Sequence, residues 1–264
     1  MNRTPTYNAL ILRARPSGES NREVTLLTAE EGLIRATVFG GPKSRLRAHA
    51  APYHQGTAWL YRDPAKDFFK VTDFDVQSWR PGIREDYDRT MAAFAVAETI
   101  LASHGGGAER GPALALAGDT LDALEGADRD GCRRMMVQFL WNWADILGCR
   151  PDLRRCASCG KVFPETESGA TFWYSRREAQ AVCPSCSGLD EDVHGLIESA
   201  GPALAAEFLP AGPGARRWLL AAESLGPGRI GRVSMDRVSW REAKALCAAV
   251  LGAAVGKQLA SWEW

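Results

Sequence analysis

The sequence predicts an α+β protein of several domains: an N-terminal five-stranded OB-fold β-barrel, then an α-helical bundle that carries a four-cysteine zinc-finger insertion. Three observations predict it. Short β-branched and aromatic runs, punctuated by Gly, Pro, Asn and Asp, fill the first 80 residues. Beyond Pro81 and Gly82 the apolar residues recur at three- and four-residue steps instead. Two Cys-x-x-Cys pairs, Cys156 with Cys159 and Cys183 with Cys186, then stand with 23 residues between them. The expected domains are 1–80 for the barrel, 81–150 for the helical part, 151–188 for the cysteine module and 189–264 for a C-terminal helical part packing with 81–150.

Strands are expected over 7–14, 23–28, 33–39, 57–62 and 68–79, with a hairpin turn at 29–32 that ends on Gly32. Five strands without a helical period between them fit a small barrel. The OB barrel is the common one of this size that binds single-stranded nucleic acid, and an SH3-like barrel is its structural competitor. Tyr87, Met91, Phe94, Ala95, Glu98 and Leu101 then mark a helix that stops at Gly105, Gly106 and Gly107. An Ala/Leu-rich helix follows over 112–124. In the third, Met136, Phe139, Leu140, Trp143, Ile146 and Leu147 line one face and Gly148 follows as a stop signal. The Met and Trp residues of these helices read as core. Helix resumes near Leu189, a loop falls around 210–214, and Ser239 with Glu242 forms a capping box ahead of a terminal helix over 243–260.

Four thiolates at the observed spacing can close a tetrahedral Zn²⁺ site, and a site filled by protein leaves no position for a reactive water. The expected metal is therefore structural zinc on Cys156, Cys159, Cys183 and Cys186. A thioredoxin-like motif would leave the second pair unexplained. A nucleobase deaminase needs His-x-Glu upstream and Pro before the pair, but His49, His54 and His104 lack the Glu and Val182 precedes Cys183. Seven cysteines, an odd number, with no visible secretion or transit signal, point to reduced thiols in the cytoplasm. Cys132, Cys149 and Cys247 fall in or beside apolar helical patterns and read as small buried hydrophobes. The longest uncharged apolar stretch, 245–256, is too short to span a bilayer.

The formal charge is zero, yet it is segregated: residues 1–80 balance at +4 and the remainder at −4. No acid occurs between Glu31 and Asp63, an interval that holds Arg35, Lys43, Arg45, Arg47 and Arg62. A local basic field suggests a polyanion site, with a merely solvated loop as the alternative. Arg35 is expected in the third strand and Lys43, Arg45 and Arg47 in the loop after it, where cations can track a single-stranded backbone. Arg13 and Arg15 are secondary candidates that alternation puts on one strand face. Tyr53, Trp59 and Tyr61 are either stacking surfaces or barrel core. A nucleic-acid enzyme would need clustered carboxylates or a phosphate loop. Gly40-Gly41-Pro42-Lys43-Ser44 has Pro where a P-loop needs Gly, and Asp190, Glu191 and Asp192 read as the charged start of a helix, so no catalytic residues are expected.

Barrel, helices and cysteine module in this order resemble the RecO family of bacterial recombination mediators. The resemblance rests on 9–13 leading to Gly18-Glu19-Ser20, on 24–28 with Glu31-Gly32-Leu33-Ile34, on Gly40 through Arg45, and on the approach Leu147-Gly148-Cys149-Arg150-Pro151-Asp152-Leu153 to Cys156. It implies a protein that binds single-stranded DNA and anneals complementary strands coated with single-stranded DNA-binding protein (SSB). It further implies action with RecR to load RecA in the RecF pathway, and an SSB C-terminal tail received by the helical domain. Arg133 and Arg134 are the candidates for the rim of that tail pocket. The alternative is a non-catalytic adaptor whose basic barrel loop meets a protein partner.

Overall fold

Alternation along the first strand sets the barrel. In β1 (Thr6–Ser17), Tyr7, Ala9 and Ile11 point into a core completed by Val24 and Leu26 of β2 (Asn21–Thr28) and by Ile34, Ala36 and Val38 of β3 (Gly32–Val38). Ala58 and Leu60 of β4 (Gln55–Asp63) and Val71 and Phe74 of β5 (Phe68–Ser78) fill the rest. The strand order is β1-β2-β3-β5-β4, and β4 pairs back onto β1, so the sheet closes. All neighbours are antiparallel except β3 and β5, which meet in parallel at Thr37 and Lys70. This is an OB-like barrel. Its five strands fall where the sequence places them.

The computed structural model describes residues 5–63, 65, 68–163, 171–189 and 207–262. They belong to two compact units, Met1–Cys132 and Arg133–Trp264. In the first unit the outer face of β1 and β2 carries Leu10, Leu12 and Leu27, which are as buried as the interior. Helices α2 (Tyr87–Ala102) and α3 (Arg110–Leu124) cover that face. Asp86 caps α2 by accepting from the Arg89 N–H. Gly105, Gly106 and Gly107 all have positive φ, and a Cβ on Gly105 would press against Leu33. Arg80, buried and itself left-handed, donates to the Asp122 carboxylate at 2.6 Å, to the Tyr53 carbonyl at 2.7 Å and to Gln55 at 2.9 Å. It ties barrel to helix.

The structure corrects the position of the basic loop. Ser44 accepts from the Arg47 N–H and starts a one-turn helix, α1 (Arg45–His49), so Arg45 and Arg47 stand on a helix between β3 and β4 and only Lys43 stays in the loop.

Helix α4 (Arg129–Ile146) starts within the first unit and runs on into the second, where it buries Phe139, Trp141 and Trp143. It begins before the apolar period is visible, so Arg133 and Arg134 lie beyond its first turn. A three-stranded sheet, β7-β6-β8, follows from β6 (Phe172–Ser175), β7 (Gln180–Val182) and β8 (Phe208–Ala211). The expected loop at 210–214 is therefore the end of β8 and the start of α6 (Pro213–Ala222). After the short α7 (Pro227–Ile230) comes α8 (Arg237–Val255). Its cap is Asp236, which accepts from Val238 and Ser239 N–H groups, and not Ser239 as the capping box suggests. The Ser239 hydroxyl donates to Asp236, and Glu242 accepts instead from the Gly212 N–H at 3.0 Å. A carboxylate three residues upstream won the competition for the free amides. Asp190, Glu191 and Asp192 lie outside the described residues. Among the described residues no helix is long and apolar enough to cross a membrane.

Candidate metal centre and nucleic-acid face

The two cysteine pairs come together. The Sγ atoms of Cys156, Cys159, Cys183 and Cys186 all lie within 4.8 Å of one another, and Cys159 and Cys183 are 3.8 Å apart. A tetrahedral zinc with bonds of about 2.3 Å needs sulfurs about 3.8 Å apart, a spacing Cys159 and Cys183 already have, so the cluster could hold a metal ion. The local chain explains the placement. Gly160 turns back with positive φ and donates to the Cys156 carbonyl, and the Cys156 N–H donates to Lys161. Helix α5 (Pro184–Ser187) opens on Cys183 and ends on left-handed Gly188. Burial opposes ionisation of Cys156. Amide donors from Cys159, Cys183 and Ser158 outweigh that and bring its thiol down to about 6, while hydrogen bonds with Cys159 and Cys183 push Cys186 up to about 12. The Cys183 N–H lies 3.3 Å from the Cys156 sulfur. Behind the module, buried Arg216 of α6 donates to the Leu153 and Phe163 carbonyls.

Cys132 and Cys247 are buried and Cys149 is half-buried, and burial pushes each thiol up, to about 12 for Cys132. They behave as apolar fillers.

On the barrel, Arg13 pairs across the sheet with Thr25 and Thr25 with Arg35, which makes one row over three strands. The neighbouring row runs Arg15, Glu23, Thr37. A register shift between Ile11 and Arg13 turns the outer face from leucines to arginines. Partial burial, then Arg15 and Arg35, lower the Arg13 guanidinium against the weaker pull of Glu23. Among the described residues none of Arg13, Arg15, Arg35, Lys43, Arg45 and Arg47 makes an ion pair. Arg45 donates to His49 at 3.3 Å and Arg47 to the Ser20 carbonyl at 3.1 Å. Burial and then Arg47 lower Arg22, a cation that no sequence signal singles out.

Of the expected aromatics, Tyr61 is half exposed, whereas Tyr53 and Trp59 are partly buried. The sequence reading missed Phe39, Phe68 and Phe69. Phe39 is 44% exposed and meets Phe68 edge to face at 6.4 Å. Lys70 rests over the Phe39 ring at 5.2 Å and Arg62 over Phe69 at 5.2 Å. An open groove of about 600 Å³ lies beside them, lined by Arg35, Thr37, Arg62, Phe68 and Phe69 and by the carboxylates of Glu23 and Glu31.

In the second unit, Arg133 stacks over Trp240 at 5.3 Å and Arg134 donates to the Gly231 carbonyl at 2.9 Å. Neither lines the cavity of about 640 Å³ formed by Arg217, Trp218, Val233, Met235 and Asp236.

A closed OB-like barrel followed by helices and a four-thiol cluster defines a class of proteins in which a barrel precedes a helical part with a knuckle that could hold a metal ion. Within it, the chain belongs to the Recombination protein O family. The family's N-terminal model matches residues 1–78 and its C-terminal model residues 84–263. Two relatives, each named DNA repair protein RecO, come from Desulfitobacterium hafniense strains DSM 10664 / DCB-2 and Y51. Each is 30% identical over 181 residues, 68% of this chain. The match spans 63% of the relatives' own length.

Proposed function

We propose that this protein is a non-catalytic recombination mediator in DNA repair. It binds single-stranded DNA on the barrel, anneals complementary strands coated with SSB and, with RecR, promotes loading of RecA at the nucleoid in the cytoplasm. The observation that carries the reading is the row of Arg13 and Arg35, with Arg15 beside it, on an outer barrel face where Glu23 stands across from Arg15 but none of the three arginines makes an ion pair among the described residues. Like charges held side by side are a cost in the free protein that a phosphate backbone relieves. Lys43, Arg45, Arg47 and Arg22 extend the field. The cysteine cluster holds structural zinc in this reading. The acidic, apolar SSB tail suits the cavity lined by Trp218, Val233 and Met235 together with Arg217 and Asp236, a cavity that neither Arg133 nor Arg134 lines.

The test is annealing of complementary strands coated with SSB, comparing wild type with Arg13→Gln/Arg35→Gln at two salt concentrations. Wild-type annealing should weaken steeply with salt, and the variant should lose most of it. The slope of log K for single strands should fall by about 0.7 for each phosphate contact removed. No annealing by folded, zinc-loaded wild type would overturn the mediator reading in favour of a protein-interaction adaptor.

A further inference from the structure

The cations on β1 to β3 account for phosphate contacts but give no reason to prefer an unpaired strand, because a duplex carries the same phosphates. The groove beside β3 supplies one. It is lined by Arg35, which also belongs to the cation row, so groove and row are contiguous at that residue. Its two carboxylates, Glu23 and Glu31, repel a phosphate, while the aromatic side of the groove offers ring faces. Arg62 lies over the Phe69 ring and Lys70 over the neighbouring Phe39 ring, each at 5.2 Å, so cations already hold those two faces, and among the described residues Phe68 is the groove ring that no cation covers. The volume, about 600 Å³, is in the range of sites for a single small ligand.

Resting on the single-strand reading above, we infer that this groove takes one unpaired nucleobase, stacked on Phe68, while Arg13 and Arg35 hold the adjoining phosphates. A base is neutral and brings its own π-face, and a carboxylate at the groove edge accepts from an exocyclic amino group. A paired base is sequestered inside the duplex and has neither face nor edge to offer. The groove therefore sets the preference for single strands, and the cation row sets the overall affinity.

The experiment measures binding of wild-type protein to an oligo-dC strand, to an abasic strand of the same length and to the corresponding duplex. The Phe68→Ala variant is measured in parallel. Wild type should bind the base-bearing strand roughly tenfold more tightly than the abasic one. Phe68→Ala should shrink that ratio to about twofold with the salt slope unchanged, since stacking releases no counterions. Equal binding of abasic and base-bearing strands by wild type overturns the groove while leaving DNA binding intact. Failure to bind any of the three overturns both readings together. The wild-type comparison needs no variant, so a poorly folding Phe68→Ala does not blunt it.

Discussion

Each barrel strand has two neighbours and an apolar inner face, whereas in the cysteine module β7 and β8 each have one neighbour, β6. Across 154–161 only Cys156 is buried. The barrel is thus ordered by removing side chains such as Leu26, Leu60 and Phe74 from water, and it needs nothing from outside the chain. In the module β6 and β7 also bury Phe172, Trp173, Tyr174, Ala181 and Val182. The 154–161 loop, however, has little to bury and leans on polar ties: the hydrogen bonds around Cys156, the Arg216 guanidinium on the Leu153 and Phe163 carbonyls, and four thiols that could share a metal ion. Burial thus orders the strands of both sheets, and only the loop that carries the first cysteine pair depends on something else.

Removing metal is the strongest way to break the comparison. Structural zinc contributes roughly 10–16 kcal/mol of apparent binding free energy in small modules. Chelating the zinc-loaded protein, or substituting Cys156→Ser, should abolish amide-exchange protection over 154–163 and 180–188 and leave the barrel strands protected. Loss of protection in the barrel as well would mean that the two regions are not independent in this sense. Leu26→Ala addresses the other side. A fully buried core leucine truncated to Ala costs about 2–5 kcal/mol, read from denaturant unfolding followed at the barrel, while zinc content should not change.

Acid should give the smallest effect, confined to the first unit. Arg84 donates to Nε2 of buried His54 at 3.0 Å, so the ring proton sits on Nδ1 and is donated to the His49 carbonyl at 2.8 Å. Burial lowers the pKa of His54, which therefore binds fewer protons folded than unfolded. Stability from this neutral ring is complete above the unfolded value of about 6.5 and is lost as pH falls below it. Unfolding free energies between pH 7.5 and 5.5 should decline in wild type and flatten in His54→Asn; parallel slopes would remove His54 from the account.

The strands and the first long helix were legible because their signals are local: alternation in β2 and β3, and the recurrence from Tyr87 to Leu101 before a glycine run. The cysteine cluster was legible because paired spacing restricts geometry. What escaped depends on closure. Phe39 and Phe68 lie far apart in sequence and meet only because β3 and β5 run side by side, so no window of sequence contains the groove. The start of α8 was misplaced because Asp236 and Ser239 both satisfy the rules for a cap, and the choice was made by which carboxylate reached the free amides. Arg22 was overlooked since its importance comes from the approach of Arg47.

The leucines on the outside of the barrel have a practical meaning for anyone wishing to borrow it. A fragment stopping at residue 80 would keep the closed sheet, yet it would display Leu10, Leu12 and Leu27 to water and strip Arg80 of its carboxylate partner on α3. Such a piece would self-associate through its bare back. A longer piece that carries α2 and α3 along would keep those leucines jacketed and Arg80 paired.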